Sequence, residues 1–131
     1  MSAEVQDMPR PWLPAPAGRF IGRGHPAGDY LEAHLLDRVK NPRGHLYGGF
    51  TPTYVDLVAV RTAQTLFAGT TRGMATVNMR VDYFEPVTHA RFAIESRVVN
   101  SRGRTHLIEV LFKDLAGTVL VFSVATLRQR V

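Results

Sequence analysis

Between Asn41 and Phe67 the chain reads NPRGHLYGGFTPTYVDLVAVRTAQTLF: a loop, a glycine pair, then a long apolar segment with one carboxylate, Asp56, in its middle. Gly48-Gly49 allows close backbone approach, and Pro52 is tolerable only in the first turn of a helix. From Thr53 to Phe67 there is no Gly or Pro and apolar residues dominate, so a helix should follow the glycine pair. At about 100° per residue, Gly49, Pro52, Thr53, Ala59, Val60, Ala63 and Phe67 fall on the Asp56 side of that helix. Arg61 sits roughly 140° away, with Thr51, Tyr54, Thr62 and Thr65 near it as a polar stripe. Thr53, Ala59, Pro52 and Val60 occupy the i±3 and i±4 positions around Asp56, so no basic neighbour can pair with it along the helix. Such a carboxylate is either desolvated or engaged elsewhere in the fold, and both are routes to a general base or nucleophile.

A chain of 131 residues suits one domain with a real core. Its 45% hydrophobic and 21% charged content is that of an ordinary globular protein, and no apolar run approaches the ~18 residues of a membrane span. The start, MSAEVQDMPR, has no basic segment followed by an apolar one, so no secretory signal is visible. The absence of cysteine excludes a disulfide framework, a thiolate nucleophile and Cys-ligated zinc; a cytoplasmic protein is the expectation. The net charge of +5 invites a nucleic-acid reading. However, the basic residues, all arginine except Lys40 and Lys113, are scattered and form no nucleic-acid-binding motif. His25, His34, His89 and His106 lack metal-ligand spacing, so neither a metal nor another cofactor is expected.

In chain order, residues 1–19 form a Pro- and Ala-rich arm that Trp12 could dock, and residues 20–131 form the single domain. Phe20-Ile21 opens it, and Gly22, Gly24, Pro26 and Gly28 punctuate a turn. Alternation over 29–36 predicts a strand, followed by the loop at Asn41-Pro42 and Gly44 and then the helix. GTTRG at 69–73 breaks the chain. Strands are expected at 74–84, with Val77, Met79, Val81 and Tyr83 on one face and Thr76, Asn78, Arg80 and Asp82 on the other, and at 90–99. NSRGR at 100–104 reads as a turn into a strand at 105–113. Asp114 to Gly117 reads as a hairpin connection, and 118–127, apolar on nearly both faces, as a central or doubly covered strand. One helix among antiparallel strands is an α+β fold, with the sheet curled around the helix.

These motifs, from roughly Gly28 to the C-terminus, resemble the hotdog-fold acyl-CoA thioesterases of the phenylacetate-degradation type. That family shows an Asn, then six residues on a His-Gly-Gly, and nine residues past the His an Asp within a helix. Asn41, Tyr47-Gly48-Gly49 and Asp56 keep those spacings. Thr76-Val77-Asn78 leading to Tyr83-Phe84-Glu85-Pro86, the Gly103-Arg104 turn and the Asp114 to Gly117 hairpin match the later motifs. The departure is Tyr47, where the family usually has His; a phenol donates a hydrogen bond as imidazole does but does not titrate near neutral pH.

The resemblance implies hydrolysis of an acyl- or aroyl-CoA thioester. The Gly48 amide would polarise the carbonyl with the help of the helix dipole, and Asp56 would activate water or attack directly. Asn41 would orient the water or carbonyl, Tyr47 would support the oxyanion or position substrate, and Gly49 would lie against the substrate. A Thr76 hydroxyl, usually from a partner subunit, would sit beside the carboxylate. Arg102 and Arg104 are the candidates for the CoA phosphates. A homodimer or dimer of dimers (a homotetramer) is implied, with no nucleic-acid or membrane partner. The alternative readings are ordinary: Asn41 as a pre-proline turn residue, Thr76 as a plain strand residue, the arginines as a solvated face. A non-catalytic acyl-CoA binder on the same scaffold is the rival function. A hotdog hydratase ranks lower, because no His shares the Asp56 face.

Overall fold

The alternating second half of the chain forms four consecutive antiparallel strands, and the stretch before them supplies an edge strand and the helix. The computed structural model describes residues 28–66 and 73–130. The elements are β1 (Gly28–His34), a 3-10 turn (Asp37–Val39), α1 (Phe50–Leu66), β2 (Met74–Tyr83), β3 (Arg91–Arg102), β4 (Thr105–Lys113) and β5 (Val119–Gln129). The expected arm at 1–19 with Trp12, the opening at 20–21, the turn around Gly22 and Gly24, Phe67 and the break at 69–72 lie outside the described residues. The sheet has the order β1-β3-β4-β5-β2, all neighbours antiparallel, and α1 packs across β2 to β5. This is the α+β arrangement that the strand and helix patterns predict.

The core is the seam between helix and sheet. Tyr54, Val55, Val58, Ala59 and Ala63 of α1 meet Phe92, Ile94, Ile108, Val110, Phe112, Val121, Ala125 and Leu127. Phe92 and Phe112 stack with centroids 5.8 Å apart, and the Tyr54 ring meets both edge-on. The helix is thus turned relative to the expectation. Thr51, Tyr54, Arg61 and Thr62, anticipated as a polar stripe, are all buried. An aromatic ring outweighs one hydroxyl in choosing a face, and Thr62 satisfies its own hydroxyl on Ser96, 2.5 Å away. Pro52, Thr53, Asp56, Leu57 and Val60 form the half-buried side instead.

The Tyr54 hydroxyl is buried without a hydrogen-bond partner. Burial pushes this phenol above its ordinary value of 10.0, while the Arg38 cation pulls weakly the other way. A raised folded value favours the neutral form, so the contribution is intact below pH 10 and fades as the unfolded chain ionises above it. Tyr54→Phe should therefore raise stability by about 1 kcal/mol and reduce its loss above pH 10, read by urea unfolding at pH 7 and 10.5.

Two strand ends and one sheet position differ from the sequence reading. β1 ends at His34, because Leu35 and Leu36 leave the sheet. β3 runs through the expected 100–104 turn: a bulge between Val98 and Asn100 resets the register, Ser101 pairs with His106 and Arg102 with Thr105. Only Gly103-Arg104 turn, with Gly103 at φ 59 where a primed hairpin needs positive φ. β5 is interior as expected, but β4 is the central strand.

Candidate active site

The decisive irregularity is in β2. Thr76 pairs with Leu127 and Asn78 with Thr126, leaving Val77 as an extra residue in a bulge. Plain alternation sets Thr76 against Met79, Val81 and Tyr83; the bulge puts it on their face, toward the helix. There the Thr76 hydroxyl donates to Asp56 Oδ1. The half-buried carboxylate thus reaches a partner elsewhere in the fold, one of the two outcomes its isolation on the helix left open. This bond forms within one chain, whereas the resemblance implied a hydroxyl from a partner subunit.

Two turns back along α1, Tyr47 to Phe50 make the tight entry into the helix, closed by the Phe50 N–H on the Tyr47 carbonyl at 2.9 Å. The Tyr83 hydroxyl, from the far end of β2, donates to the Gly48 carbonyl at 2.8 Å. Among the described residues no acceptor takes the Gly48 or Gly49 N–H, and both lie at the positive end of the helix dipole. A side chain at position 48 would meet open space, whereas one at 49 would come within 3.0 Å of the Tyr47 ring. Tyr47 is 53% exposed and also packs edge-on against Phe50. It therefore stands at the mouth of the helix N-terminus, beside the free amides.

Asn41 takes the turn role. Its Oδ1 accepts from the Arg43 N–H at 2.9 Å and the His45 N–H at 3.1 Å, pinning the loop that delivers Tyr47. Leu46 and Tyr47 are anchored by backbone bonds to Val87 and Val39. No described hydrogen bond joins Asn41 to Asp56.

Against this geometry, a model of the thioesterase superfamily matches residues 43–121, more than half of the chain. The chain belongs to the thioesterase superfamily. No curated protein matches it. Among solved structures, this superfamily member is similar to a mutant form of thioesterase PA1618 from Pseudomonas aeruginosa. The two are 13% identical, with a TM-score of 0.75 over 85% of this chain and 79% of that one. Thioesterase HI1161 of Haemophilus influenzae superposes with a TM-score of 0.76 at 12% identity, covering 85% of this chain and 76% of that one. AziG of S. sahachiroi does so at 0.76 and 22% identity, over 86% and 90%. At such identities the likeness shows the hotdog fold alone.

The strand register locates the remaining residues. Arg102 and Arg104 lie at the β3–β4 turn, at the Thr76 end of β2 and away from Gly48. Sequence reasoning missed Tyr83 as the residue holding Gly48. Metal-binding groups of His, Asp or Glu are absent among the described residues.

Proposed function

We propose that this protein is an acyl-CoA thioesterase of the phenylacetate-degradation type, working as a homodimer or dimer of dimers. The observation that carries the reading is Asp56, a half-buried carboxylate on a helix that opens with free glycine amides, oriented by the Thr76 hydroxyl. Asp56 takes a proton from water, which attacks the thioester carbonyl carbon; the carbonyl oxygen becomes an oxyanion held by the Gly48 N–H. Collapse breaks the C–S bond, and the CoA thiolate leaves and is protonated. Direct attack by the carboxylate gives an anhydride that water then opens, with the same products. Tyr47 flanks the acyl group, Gly49 keeps its ring in place, and Asn41 holds the loop. Arg102 and Arg104 face the charged end of CoA.

Distance argues for two chains per site. Gly48 and Asp56 are eight residues apart, roughly 12 Å along a helix, too far for one thioester to touch both. β2 is an unpaired edge of ten residues carrying an exposed Val77, and such edges are pairing surfaces. Two copies joined antiparallel along 78–83 would set the Thr76 end of one β2 beside the Tyr83 end of the other. Thr76 carries Asp56 and Tyr83 carries Gly48, so Asp56 of one protomer would approach Gly48 of the partner subunit.

The test is thiol release from short, long and aromatic acyl-CoAs. The chain has no cysteine, so a thiol reagent reads CoA without protein background. Turnover of at least one class is expected. Binding of acyl-CoA without release would move the assignment to a non-catalytic binder, in which Tyr47 replaces the family's His.

A further inference from the structure

At the β3–β4 hairpin, side chains from three strands form a hydrogen-bonded chain that the thioester chemistry does not use. The Ser101 hydroxyl lies 2.8 Å from His106 Nδ1, and His106 Nε2 lies 3.1 Å from Gln129 Oε1. A carboxamide oxygen only accepts, so Nε2 carries the ring proton. In the neutral ring Nδ1 then accepts from the Ser101 O–H. His106 and Gln129 are buried, while Ser101 is exposed. The imidazole is thus held in one tautomer beneath a hydroxyl that solvent reaches.

The backbone sets this up. Val98 pairs with Ile108 and Asn100 with Leu107, leaving Val99 as an extra residue in β3. In a regular ladder Asn100 would stand opposite His106; the bulge brings Ser101 there instead. The Gln129 N–H donates to the Arg104 carbonyl at 2.8 Å, which fixes the end of β5 against the turn. The other two described serines are engaged in the core, Ser96 with Thr62 and Ser123 with the Val110 carbonyl. Thr76, Leu127, His106 and Ser101 are paired in one row across β2, β5, β4 and β3. Three strand spacings put Ser101 roughly 14 Å from Thr76, too far to share a reacting carbonyl with Asp56.

We propose that Ser101 is a second, independent nucleophile of this protein, which takes the acyl group of an activated ester with His106 as its base and Gln129 as a positioning residue. A hydroxyl within hydrogen-bond reach of a base that a third group orients is the arrangement that activates serine. Oγ bonds to the ester carbonyl carbon while its proton passes to His106 Nδ1. The bond from that carbon to the leaving oxygen breaks, the leaving group takes the proton from Nδ1, and an acyl-serine remains. Water, deprotonated by the same nitrogen, then opens the acyl-serine to the free acid and restores the hydroxyl. Gln129 is neutral, so the imidazolium formed in each step has a dipole and not a carboxylate on its Nε2–H. Turnover is slow for that reason, and the acyl-serine accumulates. The hydroxyl stands at the surface beside the exposed Arg102 and Arg104, which favours a small ester whose leaving group departs as an anion, as an aryl ester does.

The test is intact-mass analysis and peptide mapping of the full chain after reaction with p-nitrophenyl acetate and with a fluorophosphonate, which an activated serine attacks in the same way. One adduct on Ser101 is expected, absent in Ser101→Ala and formed at least about 10²-fold more slowly in His106→Gln. Because His106 is buried, Ser101→Cys supplies a measurement that leaves the buried groups in place. The chain has no other cysteine, so alkylation by iodoacetamide at pH 6.5 reads that thiol alone. It should run at least about 10-fold faster than alkylation of free glutathione. An unmodified Ser101 in wild type, equally fast labelling in His106→Gln, or alkylation at the glutathione rate would each overturn the nucleophile. Thioester hydrolysis should be unchanged in Ser101→Ala, and Ser101 labelling unchanged in Asp56→Asn. Loss of both activities in either variant would overturn the independence of the two sites.

Discussion

Asp56→Asn should reduce kcat on the best acyl-CoA by about 10²- to 10⁴-fold, the range expected when a positioned general base is lost. The carboxamide keeps an oxygen for the Thr76 hydroxyl and nearly the same volume, so KM and the thermal midpoint should stay close to wild type. A fall confined to kcat identifies an interaction made in the transition state. A variant with wild-type kcat would remove Asp56 from the chemistry. The same substitution tests the two-chain site. Asp56→Asn chains co-expressed with Gly48→Pro chains, whose position 48 lacks an N–H, form mixed dimers with one intact site each. About a quarter of wild-type activity should return, because half the dimers are mixed and half their sites are intact. Activity no higher than the sum of the two parents would overturn the two-chain site.

Phe112→Ala should cost about 3–5 kcal/mol in urea unfolding at pH 7. The ring is fully buried, stacks on Phe92 at 5.8 Å with planes 18° apart, and meets Tyr54 edge-on at 6.3 Å. It lies where β3, β4 and α1 share side chains, so truncation removes both transfer free energy and a ring contact, and leaves a cavity walled by the helix. Against total stabilities of about 5–15 kcal/mol the loss is large, and activity should fall with it as α1 loosens. Phe112→Leu, which refills most of the volume, should cost less than half as much. Equal costs for the two would mean that the ring contacts, and not the cavity, set the stability.

The fold was readable because its signals are local and repeated. Alternation marked β1, β2 and β3, Pro52 and the glycine pair marked the start of α1, and Asp114 to Gly117 marked a hairpin. The orientation of α1 was not readable: it turned on whether Tyr54 counts as polar, and its ring decides in favour of the core. Of the candidate site, the isolation of Asp56 left desolvation or a distant partner as alternatives, and Thr76 is the partner it reaches. The reason Thr76 can reach it was hidden, because a bulge leaves no mark in an alternating sequence; the bulge that carries β3 through Ser101 to Arg102 was hidden the same way. The strand neighbours of Arg128 were invisible for another reason. An arginine at the end of a strand looks solvated until the register lays it beside residues from much earlier in the chain, as Arg128 lies beside Thr105 and Ala75.

The bulge also bears on how β2 should be aligned with its relatives. Inward residues of a regular strand recur every second position, but here Thr76 and Met79 are three apart because Val77 is outside the ladder. The strand is read in two frames, one for the core from Met79 onward and one for the hydroxyl at Thr76. A relative with a regular β2 would carry the equivalent hydroxyl two positions before its Met79 counterpart. Aligned without a gap, it would set an unrelated residue against Thr76 and look as though it lacked the group. A one-residue gap at Val77 restores the correspondence.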